Sequence, residues 1–589
     1  MPKSILRAEA SLRPMNTQLP LALVTAALFS APALAQTVYV DANLTTGLGD
    51  GSSWANALQG PLGLQSALIS TPPGRDIFVA DGRYTTSTTT GLVQRSRTFR
   101  LQSGVRVYGG FQGGESGLAD RPPMGSAPSV LSGDILGNDD GTAASMADNS
   151  FSVVDASTFT DKTALLDGFV VTGGFAFGPF PSTQAGAGMY FNGDATIRNC
   201  IVRGNYAQEA GGAVLIGRDP CFFNCRFEQN EGGNFGGAVR ILAGRPLFDG
   251  CVFTDNRAQH GGAMATAPLV QPTVRNCLFT GNEATATDGG GALWFDGSGA
   301  AILQNSTIVG NTAPAADEGG ILVLGAVPTI ANCILWGNSG AGGAMDSANQ
   351  VSSNAALRYC LVMGGFAGGI GNIQGDPLFL DRPAGDYRLG PGSPAVDAGD
   401  SNALDPTVMV DLAGQGRYRD EPMTPNTGSG GGAIDIGAYE LQVGTVGSMG
   451  AVYCIGAPNS VGGIGRLFAF GSSAVSGNDV TLVGSGLPPH QMSVLVTSQT
   501  QDFVPNAGGS TGDLCLGGMI GRFKAPSQVM TTDAGGTMTI PIDLTALPTP
   551  MGATGVLAGQ SWNFQAWHRD GFPGFPSSNF TSAIEITFE

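Results

Sequence analysis

The residues that could carry chemistry are few and scattered. The chain has three histidines, His260, His490 and His568, and no spacing among them suits a metal. Carboxylates gather in two places. Asp139 and Asp140 are adjacent in "NDDG" (138–141), with His260 far downstream in "QHGG" (259–262). Asp376, Asp381, Asp386, Asp397 and Asp400 crowd a later stretch, where they are expected to cap turns at the end of the stack; Ca2+ binding is the alternative, although the regular acidic spacing of a Ca2+ loop is missing. Paired carboxylates do acid–base work only inside one site, about 5 to 10 Å apart. What these residues can do therefore depends on the elements that place them.

Those elements repeat. Six segments align: "IRNCIVRGN" (197–205), "FFNCRFEQN" (222–230), "FDGCVFTDN" (248–256), "VRNCLFTGN" (274–282), "LQNSTIVGN" (303–311) and "IANCILWGN" (330–338). Each reads apolar-x-Asn-Cys-x-apolar-x-x-Asn, with Gly250 in place of one Asn and Ser306 in place of one Cys. The closing asparagines, Asn205, Asn230, Asn256, Asn282, Asn311 and Asn338, step by 25, 26, 26, 29 and 27 residues. A second refrain runs between them: "GGAV" (211–214), "GGAV" (236–239), "GGAM" (261–264), "GGAL" (290–293), "GGIL" (319–322) and "GGAM" (342–345). A fixed period in this range marks a solenoid. No unit has room for a helix between its glycines, and the leucine spacing of leucine-rich repeats is absent. Cys-x-apolar has the two-residue period of a strand with one buried face. The expected fold is all-β, a right-handed parallel β-helix whose coils climb one strand spacing each.

In that fold Cys200, Cys225, Cys251, Cys277 and Cys333 form an inward column, beside Val202, Phe227, Phe253, Phe279, Ile308 and Leu335. The closing Asn column is expected at a left-handed corner, its amides bonding to the next coil. Gly-Gly corners need backbone freedom. Cys360 extends the cysteine column. Parallel side chains hold stacked Cβ atoms too far apart for a bridge, so these six are expected as reduced thiols, with Cys221 outside the column and unpaired. Trp294 in "GGALWF" and Trp336 in "CILWGN" point outward and are the candidates for stacking on sugar rings; the alternative, and the commoner case, is that loops from neighbouring coils cover them.

The "GGA" and "C-x-F-x-x-N" refrains resemble the repeats of chlamydial polymorphic outer-membrane proteins. The unit opened by "LLDGFVVTGG" (165–174) resembles secreted bacterial proteins of the pectate-lyase-like superfamily, over roughly 37–440. The runs at 105–135, 375–400 and 432–440 are similar to opening and closing stretches of such proteins. The resemblance implies the fold rather than one reaction. Pectate lyases use Ca2+-binding carboxylates and an Arg base on the outer face of one sheet. Polygalacturonase-like hydrolases use three Asp with His and Arg/Lys motifs. "NDDG" and "QHGG" echo the second set, but several coils separate them and no Arg-x-Lys follows. No catalytic set is assigned, because no acid–base constellation is expected on one face of the stack.

Residues 1–35 read as a secretory signal, with Lys3, Arg7 and Arg13 before an apolar run and Ala33-Leu34-Ala35 as the cleavage site. Residues 36–75 form an N-terminal cap: a strand, a turn, then a helix with Ser53 as N-cap and Ala57, Leu58, Leu62, Leu64 and Leu68 on its apolar face. The β-helix runs over 76–443, and 444–452 is a linker. Residues 453–589 alternate in short runs, such as "DVTLVGS" (479–485) and "AIEITF" (583–588), as an antiparallel β-sandwich does. "YCIGAPNS", "SGLPPHQ" and "WNFQAWHRD" resemble a C-terminal module of secreted planctomycete-type proteins. Cys454 and Cys515, alone in this small domain, are the expected disulfide.

Composition bounds the partners. The net charge is −18, and charged residues are 13% of the chain against about 25% in ordinary domains. Without a basic stripe, nucleic acid and anionic membranes are poor partners. No run after the signal is long enough to span a bilayer. An exported monomer is expected, an adhesion or glycan-binding scaffold whose partner is an extracellular or cell-wall polysaccharide. The alternative is a polysaccharide lyase or glycoside hydrolase with a divergent site.

Overall fold

The computed structural model describes residues 37–589, apart from 143, 180–182, 298–300, 315–317, 326, 341–346, 391, 406–407, 420–425, 431–432, 442–449, 455, 462–463, 533–535 and 573–574. The signal-like segment, the last Gly-Gly refrain and most of the linker lie outside the described residues.

The repeats stack as parallel coils. A first sheet of twelve parallel strands opens with the cap and ends at Ala356–Arg358; its middle members include Thr196–Arg198, Cys221–Phe223, Leu247–Asp249 and Thr273–Arg275. A second, ten-stranded sheet holds the strands that follow each Asn-Cys, such as Ile201–Arg203, Arg226–Glu228 and Val252–Thr254. A third, eight-stranded sheet follows the Gly-Gly refrain, with Val214–Ile216, Val239–Ile241 and Met264–Thr266 among its members. Inside, one core runs the length of the stack. Phe227, Phe253 and Phe279 stack face to face at 4.8 and 4.6 Å between centroids. The six column cysteines are buried free thiols, as is Cys221. Burial pushes the thiols of Cys200, Cys251 and Cys333 well above their ordinary range, so they pack as small apolar groups.

The closing asparagines form a hydrogen-bonded ladder. Asn205, Asn230, Asn256, Asn282 and Asn311 each donate from Nδ2 to Oδ1 of the next, at 2.8–3.0 Å, and Asn338 ends the series on Gln350. Their place at the corner is corrected in one respect. The left-handed residue is not the closing Asn but the one before it, Gln229 (φ 53°), Asp255 (54°) or a glycine. Another left-handed position is the Asn that precedes each Cys: Asn199, Asn224, Asn276, Asn305 and Asn332 have φ of 45–53°. The two asparagine types of the repeat thus divide the work, the first bending the chain and the second joining coils.

The cap also departs from expectation. Its strand Val38–Asp41 joins the first sheet, paired in parallel with Arg75–Ala80. Ser53 precedes only a three-residue 3-10 turn, Trp54–Asn56, and makes no side-chain cap bond. The α-helix starts later, at Gly63–Ser70, and turns Leu64, Ala67 and Leu68 into the open end of the core. After 451 the strands are antiparallel. A sheet containing Met492–Ser498, Ser561–Phe572 and Ala583–Thr587 packs against a three-stranded sheet of Arg466–Gly471, Val480–Ser485 and Met538–Ile542 around a separate core, a sandwich. Cys454 and Cys515 are joined as a disulfide with Cα atoms 6.3 Å apart. Among the described residues no helix is long and apolar enough to cross a membrane.

Candidate functional site

The outward side chains of the first sheet are set by its register. One column passes through Tyr108, Asp167, Arg198, Phe223, Asp249, Arg275 and Gln304, one residue per coil. From Arg198 onward these are the "x" of each apolar-x-Asn-Cys segment, the last residue before the left-handed bend. The C-terminal module lies across this face. Arg106, on the first sheet, pairs with Asp513 of the module at 3.0 Å and places its guanidinium 4.7 Å from the Phe503 ring centroid. Arg466 of the module reaches Asp249 at 3.4 Å. Between module, sheet, Asp405 and the 410–415 loop is a cleft of about 1910 Å3.

Six basic residues line that cleft: Arg106, Arg121, Lys162, Arg198, Arg275 and Arg466. The chain has 28 Lys and Arg in all, so the cleft draws heavily on a small supply. Its carboxylates are engaged. Asp167 is held by Arg121 at 2.8 Å and by Asn199 Nδ2 at 3.1 Å. Asp249 accepts from Arg275 at 3.0 Å and from Asn276 Nδ2 at 3.2 Å. Burial works to raise the Asp249 carboxyl, yet Arg275 and Arg466 hold it below its ordinary value. Asp405 pairs with Arg275, and Asp411 accepts backbone N–H groups from Ala413, Gln415 and Glu440. Asp76, outside the cleft proper, chelates Arg106 at 2.7 Å; burial lifts its carboxyl despite that partner.

This arrangement corrects the expectation that no acidic and basic set shares one face. Asp167, Arg198, Asp249 and Arg275 do share one. A carboxylate bound by guanidinium is, however, a poor proton shuttle, since the ion pair stabilises its charged form. Over four successive coils the column instead presents Arg198, the Phe223 ring, Asp249 and Arg275, with Arg275 and Asp249 paired to each other.

The residues singled out from the sequence sit elsewhere. Asp139 accepts from Asn149 Nδ2 at 2.9 Å, and Asp140 caps a turn through Thr142, which with Ser145 draws its carboxyl down to about 2. His260 belongs to a distant coil, where its ring stacks 5.0 Å from Phe235 and Nδ1 faces Asp288 at 3.3 Å. Trp294 points outward on the third sheet, as expected, but is only 7% exposed. Phe235 and His260 cover it, Arg240 approaches its ring at 5.8 Å, and Nε1 donates to Asp288 O. No free face remains there for a sugar. Trp336 is half-buried against the closing segment, near Leu389 and Ile436. The late carboxylates are dispersed: Asp376 and Asp381 cap turns, Asp386 pairs with Arg388, Asp400 with Arg358, and Asp397 is buried. Among the described residues no three His, Cys, Asp or Glu side chains converge as metal ligands. "GGSTG" (508–512) has the spacing of a nucleophile elbow, but Ser510 is buried and gives its hydroxyl to Ser578 O at 2.8 Å.

No curated protein matches the chain. Residues 134–308 match the family model described as "Right handed beta helix region". With the parallel register above, this makes the solenoid a right-handed parallel β-helix.

Proposed function

We propose that this is an exported, non-catalytic scaffold of the pectate-lyase-like kind that binds an extracellular or cell-wall polysaccharide in the cleft between the first sheet and the C-terminal module. The observation that carries this reading is the state of the outward column: each of its carboxylates is tied into an ion pair, while guanidinium groups and the Phe223 ring face the cleft over several coils. Successive coils offer an extended chain a row of contacts at coil spacing, cationic at Arg198, aromatic at Phe223 and amide at Gln304. The signal-like N-terminus supports export, and the acidic surface leaves a glycan as the better partner than nucleic acid.

The second reading, a lyase or hydrolase, rests on the same column, since Asp167, Asp249 and the arginines share one sheet face. A glycan array on the purified protein, alongside reducing-sugar and unsaturated-uronate assays with Ca2+, separates the two. Binding without turnover is expected. Turnover lost on Asp249→Asn would establish the second reading instead.

A further inference from the structure

We propose that the seam between solenoid and C-terminal module is an oxyanion site, in which Arg198 and Arg466 together hold a carboxylate or sulfate group of the bound glycan. This deepens the reading above and rests on the same cleft.

At one end of the seam, three guanidinium groups meet two carboxylates. Arg275 and Arg466 share Asp249 at 3.0 and 3.4 Å, and Arg275 also takes Asp405. Arg198 lines the same cleft as Arg466 and lies two coils from Asp249 in the column. Among the described residues Arg198 has no carboxylate at ion-pair distance. Its neighbour in the column, Asp167, is committed to Arg121 at 2.8 Å. The Arg198 Nε is buried without a hydrogen-bond partner, and its guanidinium lies 5.5 Å from the Phe223 ring centroid. At the other end the imbalance reverses, with Arg106 alone between Asp76 and Asp513. The seam is neutral as a whole but polarised, with one positive charge in excess beside Arg198. The excess is local, because the chain as a whole carries −18.

A half-buried guanidinium with no carboxylate at ion-pair distance is costly, and at Arg198 burial outweighs the nearby Asp167 in disfavouring the charged form. An oxyanion answers both deficits, since the planar fork of guanidinium matches the oxygens of a carboxylate or sulfate. Phe223 beside Arg198 supplies an apolar face for the ring that bears the anion. Lys162, exposed on the same rim, adds a second cation to the approach. The two principal contacts come from different parts of the chain, Arg198 from the solenoid and Arg466 from the module. Binding should therefore also tighten the module on the sheet.

The test uses the full mature chain. Sodium sulfate and sodium acetate are titrated calorimetrically against sodium chloride at equal ionic strength. Oligomers of a uronic acid, a sulfated hexose and a neutral hexose follow. Sulfate is expected to bind the wild type. Arg198→Gln should weaken it about tenfold or more, Arg198→Lys should recover part of the loss, and Arg203→Gln, on the second sheet, should change nothing. Melting of each variant in chloride establishes that it folds. Stronger binding of the uronic or the sulfated oligomer identifies the group. Sulfate affinity unchanged in folded Arg198→Gln, or absent in the wild type, overturns the oxyanion site. If the neutral oligomer binds equally well in wild type and Arg198→Gln, the polysaccharide reading survives without the oxyanion site. If simple anions bind through Arg198 while no oligomer does, the oxyanion site survives without the polysaccharide.

Discussion

Replacing Asn256 by alanine isolates what the side-chain ladder contributes to the solenoid. Asn256 has 0% exposure and makes four ladder contacts. Its Oδ1 accepts from the Asn230 backbone N–H at 3.1 Å and from Asn230 Nδ2 at 3.0 Å. Its Nδ2 donates to Phe227 O and to Asn282 Oδ1, both at 2.9 Å. Truncation leaves the Asn230 N–H without its acceptor and Phe227 O without its side-chain donor, away from water. An orphaned buried partner costs about 1–3 kcal/mol, and the vacated volume adds to that. The expected loss is about 2–5 kcal/mol. Thr254→Ala on the neighbouring strand, with its side chain outward, is the control and should stay within about 0.5 kcal/mol. Urea unfolding followed by circular dichroism measures both, with the midpoint shift converted through a shared slope. A loss below about 1 kcal/mol for Asn256→Ala would mean that strand pairing and apolar burial hold the coils without the ladder.

Phe253→Asp, between Phe227 and Phe279 in the core, buries an unpaired charge at a cost of several kcal/mol; little soluble protein is expected, and normal yield and melting would remove the inward assignment. Non-reducing peptide mapping after denaturing alkylation should show Cys454 linked to Cys515 and seven alkylated thiols; a linked pair such as Cys225–Cys251 would contradict the ladder packing. Burial holds the Asp435 carboxyl up to about 7 in the closing segment. A folded value above the unfolded one, near 3.9, means stability that is full below about pH 4 and lost as pH rises through about 7. Limited proteolysis of 395–441 should therefore quicken from pH 5 to pH 8, and Asp435→Asn should flatten the trend; slower cleavage at pH 8 would reverse the sign.

The solenoid was legible because each coil meets the same neighbours, so one unit's chemistry recurs at coil spacing. Closing Asn, Cys and Phe columns all follow from that recurrence. The left-handed corner lies one residue before the closing Asn, at Gln229, Asp255 or a glycine, where no single residue type holds in every coil to announce it. The cleft was not legible for two reasons. Its column is the variable position of the repeat, filled by Arg198, Phe223, Asp249, Arg275, Gln304 and Ala331, so no refrain announces it. Its other wall arrives from 217 and 407 residues away, through Arg466 to Asp249 and Arg106 to Asp513. Trp294 follows the covered alternative for a related reason. Strand alternation gives direction, but covering loops from neighbouring coils decide exposure.

The most direct test of the proposed cleft is hydrogen–deuterium exchange of the chain from residue 36 onward, with and without the oligosaccharide that binds best. Protection is expected at Thr196–Arg198, Cys221–Phe223 and Thr273–Arg275 on the first sheet, together with 503–513 of the module. Protection confined to the outer faces of the second or third sheet, with these segments unchanged, would contradict the account.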